Sequence, residues 1–378
     1  MTQRILVIGG YGNFGQFISR MLARAADIQV IIGGRDKSKA DALAQNINAA
    51  NAVQTVYLDI NRNLASVLQD SRPCVVIHTS GPFQNQGYAV AQCCVEQGCH
   101  YVDLADGREF VTGISALHQA AKNANLLVCS GASSVPSLTS AIMDRYGNEF
   151  SVLLACESAI STAQKTSRGL ATTEAVLSYA GKRFLTLVDG TMQPVYGWLD
   201  LRHKPFYQLG KRLLGNCDIP DLALFPQRYP SLQRVRFQAG LELPLVHGVL
   251  FGLSWLVRLK LLASLQPLAK MMLNISRWLD PFGSEESGFY MELFGLDQKK
   301  RQKCLRFELV AHQGDGMYIP AVPSILMALK LARGEIKERG AFPCMGFISL
   351  EEYLGVLSEF KIEWRLVDEP DARRRLSD

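Results

Sequence analysis

Short, continuous runs of apolar residues recur along the first third of the chain, and stretches with apolar positions at helical spacing alternate with them. Residues 16–24 show that spacing clearly, because Phe17, Ile18, Met21 and Leu22 recur on one side of a helix. Continuous apolar runs are typical of parallel strands that are buried on both faces. The pattern therefore predicts a doubly wound parallel sheet. The predicted strands are 5–8, 29–33, 53–58, 74–78, 99–104 and 125–129.

The pattern changes after residue 136, where a helix over 137–146 leads the chain out of the first sheet. Later residues predict an α+β domain over 137–317. Its expected elements are a strand at 151–156, a helix at 172–179 with Thr172 or Thr173 near its cap, hairpin-like alternation at 191–198 and an alternating strand at 305–311.

The last part of the chain predicts a return to the first domain. Residues 319–333 have the pattern of a helix with Pro323 in its first turn and a stop at Gly334. We therefore expect 318–365 to complete the domain formed by 1–136. The charged tail, 366–378, is predicted to be disordered.

A glycine-rich turn follows the first strand and precedes the first helix. It fits G-x-G-x-x-G through Gly10, Gly12 and Gly15, and a second spacing that starts at Gly9. A strand, a glycine turn and a helix in this order predict a Rossmann-type dinucleotide site, since the backbone must approach a pyrophosphate at the helix N-terminus. The predicted cofactor contacts of the turn are Gly9, Gly10, Tyr11, Gly12, Asn13, Phe14 and Gly15.

The tip of the second strand indicates which dinucleotide binds. Arg35 lies 20 residues after Gly15, where an acidic residue would favour NAD and an arginine can pair with a 2′-phosphate. Asp36 comes one residue later and is expected to point elsewhere. The sequence therefore favours NADP over NAD, with Lys37 and Lys39 interpreted as solvated residues at the start of a helix.

Two further strand ends are expected to contact the cofactor. Asp59 and Ile60 follow the third strand, at a position that usually passes beside the adenine. A polar loop follows the fourth strand, at the crevice where dinucleotides bind. Its predicted contacts are Thr79, Ser80, Gly81 and Pro82.

Composition excludes several other classes of protein. The net charge of +5 over 378 residues is modest and the basic residues are scattered, which argues against a nucleic-acid partner. The nine cysteines show no zinc-ligand spacing, so we expect no metal site. A first strand that begins almost at Met1 leaves no room for a signal peptide, so a cytoplasmic location with reduced thiols is predicted.

Motifs beyond the glycine turn resemble the saccharopine dehydrogenase/reductase family. Residues 75–83 read Val-Val-Ile-His-Thr-Ser-Gly-Pro-Phe, and Cys94, Gly98 and the Tyr-Val-Asp-Leu of 101–104 follow. The resemblance covers about residues 3–135 and implies an NADP-binding domain of an oxidoreductase. It implies cofactor roles for Gly10, Gly12, Gly15, Arg35, Ser80, Gly81 and Pro82.

The chain departs from that family after the sixth strand. Relatives often carry an Asp within the motif that follows, whereas Ser133 stands in its place here. Carboxylate-clamping residues of the second domain are not recognisable, and the catalytic residues stay unknown. Arg168 is a weak candidate for an anion clamp or for pairing with an acid. Tyr179, His203 and His312 are weak candidates for a general acid, of which His312 is preferred because a turn follows it.

An apolar segment at about 243–280 is predicted to form a helical insertion. His247, Arg258 and Lys260 interrupt it, so it falls short of a membrane span. Three interpretations stay open: a helix pair in a homodimer or between domains, a helix at a membrane surface, or a lid over a hydrophobic substrate.

Two functions follow as hypotheses. One is an NADP-dependent oxidoreductase that transfers hydride between NADP(H) and an imine, an amino acid or a bulkier hydrophobic substrate in the interdomain cleft. The other is a non-catalytic NADP-binding sensor, or a scaffold for a membrane-associated partner.

Overall fold

The computed structural model describes residues 2–84 and 86–368, and the chain divides into two compact units. One unit comprises Met1–Ala141 and Tyr318–Val356, and the other comprises Ile142–Met317 and Leu357–Asp378. Each unit is built around its own sheet of seven strands.

The strands are β1 (Gln3–Ile8), β2 (Ile28–Gly34), β3 (Gln54–Tyr57), β4 (Val75–His78), β5 (His100–Asp103), β6 (Leu127–Ser130), β7 (Val152–Thr162), β8 (Arg183–Val188), β9 (Thr191–Tyr196), β10 (Arg202–Phe206), β11 (Gly210–Asn216), β12 (Arg234–Leu241), β13 (Ser287–Leu296), β14 (Gln302–Ala311), β15 (Gly340–Pro343) and β16 (Ile362–Asp368).

The α-helices are α1 (Asn13–Leu22), α2 (Lys37–Gln45), α3 (Leu64–Ser71), α4 (Ala89–Glu96), α5 (Arg108–Gly113), α6 (His118–Asn123), α7 (Thr139–Tyr146), α8 (Leu170–Ser178), α9 (Asp221–Arg228), α10 (Pro244–Arg258), α11 (Ala269–Trp278), α12 (Val322–Ala332) and α13 (Leu350–Leu357). Short 3-10 turns lie at Ile114–Leu117, Gly147–Glu149, Gln266–Leu268, Asp280–Phe282, Asp315–Met317 and Ile319–Ala321, and a π turn lies at Ser134–Leu138.

The first unit is a parallel sheet in the order β15-β6-β5-β4-β1-β2-β3. The apolar side chains of β1 and the whole of β4 are buried, as expected for strands covered on both faces. Strand order reverses between β1 and β4, so the loops after these two strands meet at a topological switch point. The predicted doubly wound fold is confirmed.

One strand of this sheet is absent from the sequence-based prediction. Gly340–Pro343 forms β15 and pairs in parallel with β6, which makes seven strands rather than six. The run is only four residues long and contains Pro343, so its composition does not favour a strand. Helix α12 begins at Val322, three residues later than predicted, because a 3-10 turn occupies Ile319–Ala321.

The second unit contains a mixed sheet in the order β10-β11-β12-β7-β13-β14-β16. Strands β12 and β7 are parallel, and the other neighbours are antiparallel. Strands β8 and β9 form a separate antiparallel pair, which agrees with the hairpin-like pattern at 191–198. The predicted α+β character of this domain is confirmed.

The C-terminal boundary differs from the sequence-based expectation. Strand β16 pairs with β14, so residues 357–365 fall in the second unit rather than completing the first. Residues 366–368 of the predicted disordered tail belong to this strand, and 369–378 lie outside the described residues. The physical reason is that β14 would otherwise leave an unpaired edge, which Ile362–Asp368 covers.

Helix α8 starts earlier than predicted. It begins at Leu170 with Gly169 as its N-cap, so neither Thr172 nor Thr173 caps it. The hydroxyl of Thr173 instead donates to the carbonyl of Gly169 over 3.1 Å, a bond within the first helical turn.

A buried row of charges crosses the second sheet. Arg236 lies opposite Glu157, Glu157 opposite Glu292, and Glu292 opposite Arg306. Arg306 is 3% exposed and pairs with Glu292, and its Nε donates to Glu308 Oε1 over 2.8 Å. Arg236 and Arg306 thus each face a carboxylate of opposite charge, whereas Glu157 and Glu292 face each other as like charges between the two arginines.

Candidate cofactor-binding site

The glycine turn begins with a residue that only glycine suits. Gly9 follows β1 with a φ of +75°, and its N–H donates to the carbonyl of Gly33 over 2.8 Å. A Cβ at Gly9 would lie 2.6 Å from Ser80 Oγ and 2.8 Å from Thr79 Oγ1. The turn and the loop after β4 are therefore in direct contact.

The same turn packs its backbone against helix α1. A Cβ on Gly15 would lie 2.2 Å from the carbonyl oxygen of Gly9, so any side chain there would push the helix away. A Cβ on Gly12 would meet only that oxygen, at 3.1 Å, and the rest of its surroundings are open. The N-cap of α1 is Gly12, and no side chain caps the helix. An open backbone turn at a helix N-terminus fits a pyrophosphate.

The loop after β4 is held in place from both sides. Thr79 Oγ1 donates to the carbonyl of Ile8 over 2.9 Å and contacts that of Gly9 at 3.2 Å. Gln86 Nε2 donates to the carbonyls of Ser80 and Pro82 over 2.8 and 3.0 Å. The structure thus brings the predicted contacts at 79–82 beside the glycine turn. Gln86 was not predicted, and a lone glutamine carries no sequence signal for this role.

At the tip of β2, the charged side chains that follow Arg35 each have another partner. Asp36 caps α2, and its carboxylate accepts a hydrogen bond of 3.1 Å from the N–H of Lys39. Lys37 Nζ lies 2.9 Å from Asp41. Arg35 is exposed, and no hydrogen bond or ion pair joins its side chain to another described residue. A guanidinium with no carboxylate partner fits the 2′-phosphate of NADP.

Tyr11 connects the glycine turn to that tip. Its hydroxyl accepts a hydrogen bond of 2.9 Å from the N–H of Asp36. A Cβ on Gly34 would lie 2.4 Å from the Tyr11 ring, so the ring packs flush against β2. The predicted contact at Tyr11 therefore orders the backbone next to Arg35.

The third strand end is organised by its own side chains. Asp59 Oδ1 accepts from the N–H of Asn61 over 3.0 Å, and Asp59 Oδ2 lies 3.7 Å from Arg62. The N–H of Leu58 donates to Gly34, so this end stays next to the tip of β2. Cofactor contact by Asp59 and Ile60 stays a prediction.

A buried polar cluster supports the loops at the end of β4, β5 and β6. His78 Nδ1 lies 3.1 Å from the hydroxyl of Tyr101, while its Nε2 is buried without a hydrogen-bond partner among the described residues. Burial lowers the pKa of His78 to about 4, so the imidazole is neutral at physiological pH. The sequence predicts His78 and Tyr101 as strand residues within the motifs that resemble the saccharopine dehydrogenase family, with no role at the site.

Asp103 is the centre of that cluster. Its Oδ1 accepts from the N–H groups of Ala105 and Gly131 over 2.9 and 2.8 Å, and from Ser130 Oγ over 3.0 Å. Burial raises the pKa of Asp103 to about 6, although those three donors oppose the shift. Asp103 is 0% exposed, and its hydrogen bonds hold the loops after β5 and β6 in place.

The weak catalytic candidates each engage a different partner in the second unit. Arg168 pairs with Asp280, which matches the alternative of pairing with an acid. The hydroxyl of Tyr179 lies 3.0 Å from Cys217 Sγ. His312 Nδ1 lies 3.0 Å from Glu286 Oε1, and its side chain is 25% exposed.

His203, also a weak candidate, is exposed on β10. Across 2–84 and 86–368, no cluster of three or more His, Cys, Asp or Glu side chains has the arrangement of a metal site. In the same residues, no helix has the length and apolar character needed to span a bilayer.

The first unit contains the part of the chain that matches a known family. Residues 5–129 match the family described as saccharopine dehydrogenase NADP binding domain. Two proteins named "Putative trans-acting enoyl reductase", from two strains of Mycobacterium tuberculosis, are each 28% identical over 139 residues, which is 35% of this chain. The match spans about a third of their own length, 33%.

A solved structure extends the likeness in fold to the whole chain. Saccharopine dehydrogenase (L-Glu forming) from Saccharomyces cerevisiae, in its apo form, has a TM-score of 0.67 and 14% sequence identity. The match covers 97% of this chain and 100% of the yeast chain, and at this identity it concerns the fold alone. The resemblance predicted from the motifs after β4 is confirmed. Residues 5–129 are thus similar to the NADP-binding domain of saccharopine dehydrogenases, and the whole chain shares the fold of the yeast enzyme.

Proposed function

We propose that this chain is an NADP-dependent oxidoreductase whose first unit holds the dinucleotide. The observation that carries the proposal is the open backbone cradle of Gly9, Gly12 and Gly15, with the unpaired guanidinium of Arg35 at the tip of the neighbouring strand. Gly9 and Gly15 let the turn pack against the loop after β4 and against α1, and the open surroundings of Gly12 leave room for a ligand to approach the backbone closely.

The choice of NADP over NAD rests on how Asp36 is used. A carboxylate that binds the ribose hydroxyls must point toward the ligand, whereas Asp36 points back to cap α2 and pairs with Lys39 at 3.5 Å. Arg35 is then the charged side chain at this tip that is available to a 2′-phosphate. A bidentate guanidinium–phosphate pair is both strong and specific.

The chain's own residues would bind, orient and supply a proton. The first turn of α1 offers backbone N–H groups to the pyrophosphate, and the loop 79–82 offers carbonyl and hydroxyl groups beside the turn. NADP supplies hydride chemistry when bound. The protein's part in that chemistry is to position the substrate and to deliver or remove one proton.

We infer that His312 is the strongest of the proton-transfer candidates. Glu286 Oε1 lies 3.0 Å from its Nδ1 and Glu363 Oε1 lies 4.0 Å from its Nε2, so two carboxylates orient the ring on a side chain that is 25% exposed. A carboxylate-oriented imidazole is a common general acid or base. Tyr179 and Arg168 are less suited, because Cys217 and Asp280 engage them.

The substrate is proposed to be an imine, an amino acid or a bulkier apolar compound. The yeast structural relative is named as forming L-Glu, and the mycobacterial relatives are named as enoyl reductases. Together the names favour reduction or oxidation at a C–N or C–C bond. A panel of imines, ketones and enoyl thioesters therefore covers the plausible acceptors.

Consumption of NADPH with this panel tests the proposal. We expect at least one compound to oxidise NADPH, and His312→Gln to lower kcat at least about tenfold with little change in NADPH affinity. His203→Gln is the matched control, because His203 is an exposed imidazole in the same unit. NADPH binding without turnover of any compound would favour a non-catalytic sensor instead. The proposed homodimer is tested separately by measuring the mass in solution.

A further inference from the structure

Helix α10 exposes an apolar face where a surface helix normally carries polar residues. Along the helix, the first exposed charged side chain is Arg258, in the last turn. A helix that is apolar on its exposed side as well as its buried side requires a partner. Its exposed positions, with the residue that follows it, include Leu245, Gly248, Val249, Gly252, Trp255 and Leu259, at helical spacing.

The opposite face of α10 is fixed to its own unit. His247 is buried, and its Nδ1 accepts from the N–H of Leu241 over 3.3 Å. A Cβ on Gly181 would lie 2.1 Å from the carbonyl of Ser254, which is buried on the same face as Leu250. The exposed apolar face therefore belongs to a firmly packed helix.

Helix α11 and the turn after it repeat this arrangement. Met271, Ile275 and Trp278 are exposed at positions i, i+4 and i+7, while Leu273 is buried. Trp278 is 79% exposed, and Phe282 in the following 3-10 turn is 77% exposed. Large aromatic side chains that protrude this far are rare on a surface that meets only water.

The charges of this region all have one sign. Residues 243–279 contain no Asp or Glu, and their cations are Arg258, Lys260, Lys270 and Arg277. The first acid, Asp280, is paired with Arg168. Lys270 and Arg277 flank the apolar stripe of α11, and the guanidinium of Arg258 lies 4.5 Å from the ring centre of Trp255.

We propose that residues 244–282, the docking segment, bind the surface of an anionic lipid bilayer. Exposed aliphatic and aromatic side chains in a mainly cationic surround are the signature of helices that lie in the membrane interface. A second copy of the segment fits less well, because a two-fold contact would bring four cations against four, and the one acid of the segment, Asp280, is already paired with Arg168. The same surround complements a phospholipid surface of negative charge.

Vesicle binding by the full-length protein tests the docking segment. The probes are vesicles of phosphatidylcholine alone and vesicles of equal parts phosphatidylcholine and phosphatidylglycerol. We expect flotation with the anionic vesicles at least about tenfold stronger than with the neutral ones, and weaker binding as salt rises. A blue shift of tryptophan emission should accompany binding, since Trp278 leaves water.

Two double variants separate the apolar contribution from the charge contribution. Trp278→Ser/Phe282→Ser should weaken anionic-vesicle binding at least about tenfold, and Lys270→Glu/Arg277→Glu about thirtyfold. Lys299→Glu/Lys300→Glu is the matched control, because it makes the same charge change at exposed positions between β13 and β14. The control should bind as the unaltered chain does. All variants should melt at the unaltered temperature, because the changed side chains are exposed.

Three results would overturn the proposal. The first is no binding to anionic vesicles, and the second is an equal loss for Lys299→Glu/Lys300→Glu and Lys270→Glu/Arg277→Glu. The third is a dimer in solution that Trp278→Ser/Phe282→Ser dissociates without any change in vesicle binding, which would assign the segment to a second copy instead.

Discussion

The hydroxyl of Tyr11 accepts a hydrogen bond of 2.9 Å from the backbone N–H of Asp36, which ties the glycine turn to the tip of β2. Arg35 therefore follows a strand whose tip is hydrogen-bonded to the cofactor turn. In NADP the pyrophosphate is attached to the 5′ position and the extra phosphate to the 2′ position of the same adenosine ribose. The bond between Tyr11 and Asp36 sets the spacing at which the protein would contact both.

Replacing Tyr11 by Phe should loosen that spacing without removing the ring. The variant loses one hydrogen bond to the backbone, so we expect about 1 kcal/mol less stability and a several-fold weaker affinity for NADPH. The affinity for NADH should change less. Calorimetric titration of the variant with both dinucleotides measures the difference, and an equal loss for the two would contradict this role.

Gly15→Ala should abolish the cradle. The new Cβ would lie 2.2 Å from the carbonyl oxygen of Gly9, so α1 must shift away from the turn. We expect at least about a hundredfold weaker binding of NADPH, together with a lower melting temperature. Gly87→Ala is the control, because a Cβ there would meet nothing within 4 Å. Similar binding by the two variants would show that the close contact at Gly15 is unimportant.

The raised pKa of Asp103 predicts that the stability of the fold decreases as pH rises. The pKa of Asp103 is raised from 3.8 to about 6 in the folded chain, so between these values the native state keeps a proton that the unfolded state releases. The free energy of unfolding contributed by this group therefore falls as pH rises from 4 to 6, by up to about 3 kcal/mol.

The Asp103→Asn variant isolates that contribution. Asn keeps an acceptor for Gly131 and Ala105 but does not titrate, so the variant should gain stability relative to the unaltered chain as pH rises from 4 to 7. Denaturant unfolding of both proteins across this range gives the difference. Parallel curves would indicate that Asp103 has an ordinary pKa.

Arg306→Met should destabilise the second unit strongly. The substitution removes the cation that Glu292 and Glu308 share, while Glu308 keeps its pairing with Arg365, and we expect a loss of about 3–5 kcal/mol. Arg301→Met is the control, since Arg301 is exposed and pairs only with Asp297 in its own turn. Chemical denaturation measures the stability of both variants, and equal denaturation midpoints for Arg306→Met and Arg301→Met would contradict this prediction.

The first sheet was predictable because its signals are local. A buried parallel strand must be a short apolar run, and a turn that approaches a phosphate must be glycine. The position of Asp36 one residue beyond Arg35 predicted that its side chain points elsewhere, and in the structure it caps α2. Neighbouring residues in the sequence decide each of these features.

The remaining features depend on residues that are distant in the sequence. Residues 340–343 form β15 because they pair with the edge strand β6, which contains Ser130. In the same way, β16 joins the second sheet because it pairs with β14. The cluster around Asp103 joins donors from two strand ends, and Arg306 finds its carboxylates across neighbouring strands. No sequence pattern of 137–317 shows which of its polar groups meet, so the proton donor could not be predicted.

Calorimetric titration with NADPH and NADH tests the central claim most directly. We predict that the unaltered chain binds NADPH more tightly than NADH, and that Arg35→Ala weakens NADPH binding by about ten- to a hundredfold while leaving NADH binding unchanged. Lys39→Ala, which removes a cation already paired with Asp36, should change neither affinity. Absence of heat with both dinucleotides, or an Arg35→Ala variant that binds NADPH as the unaltered chain does, would contradict the account.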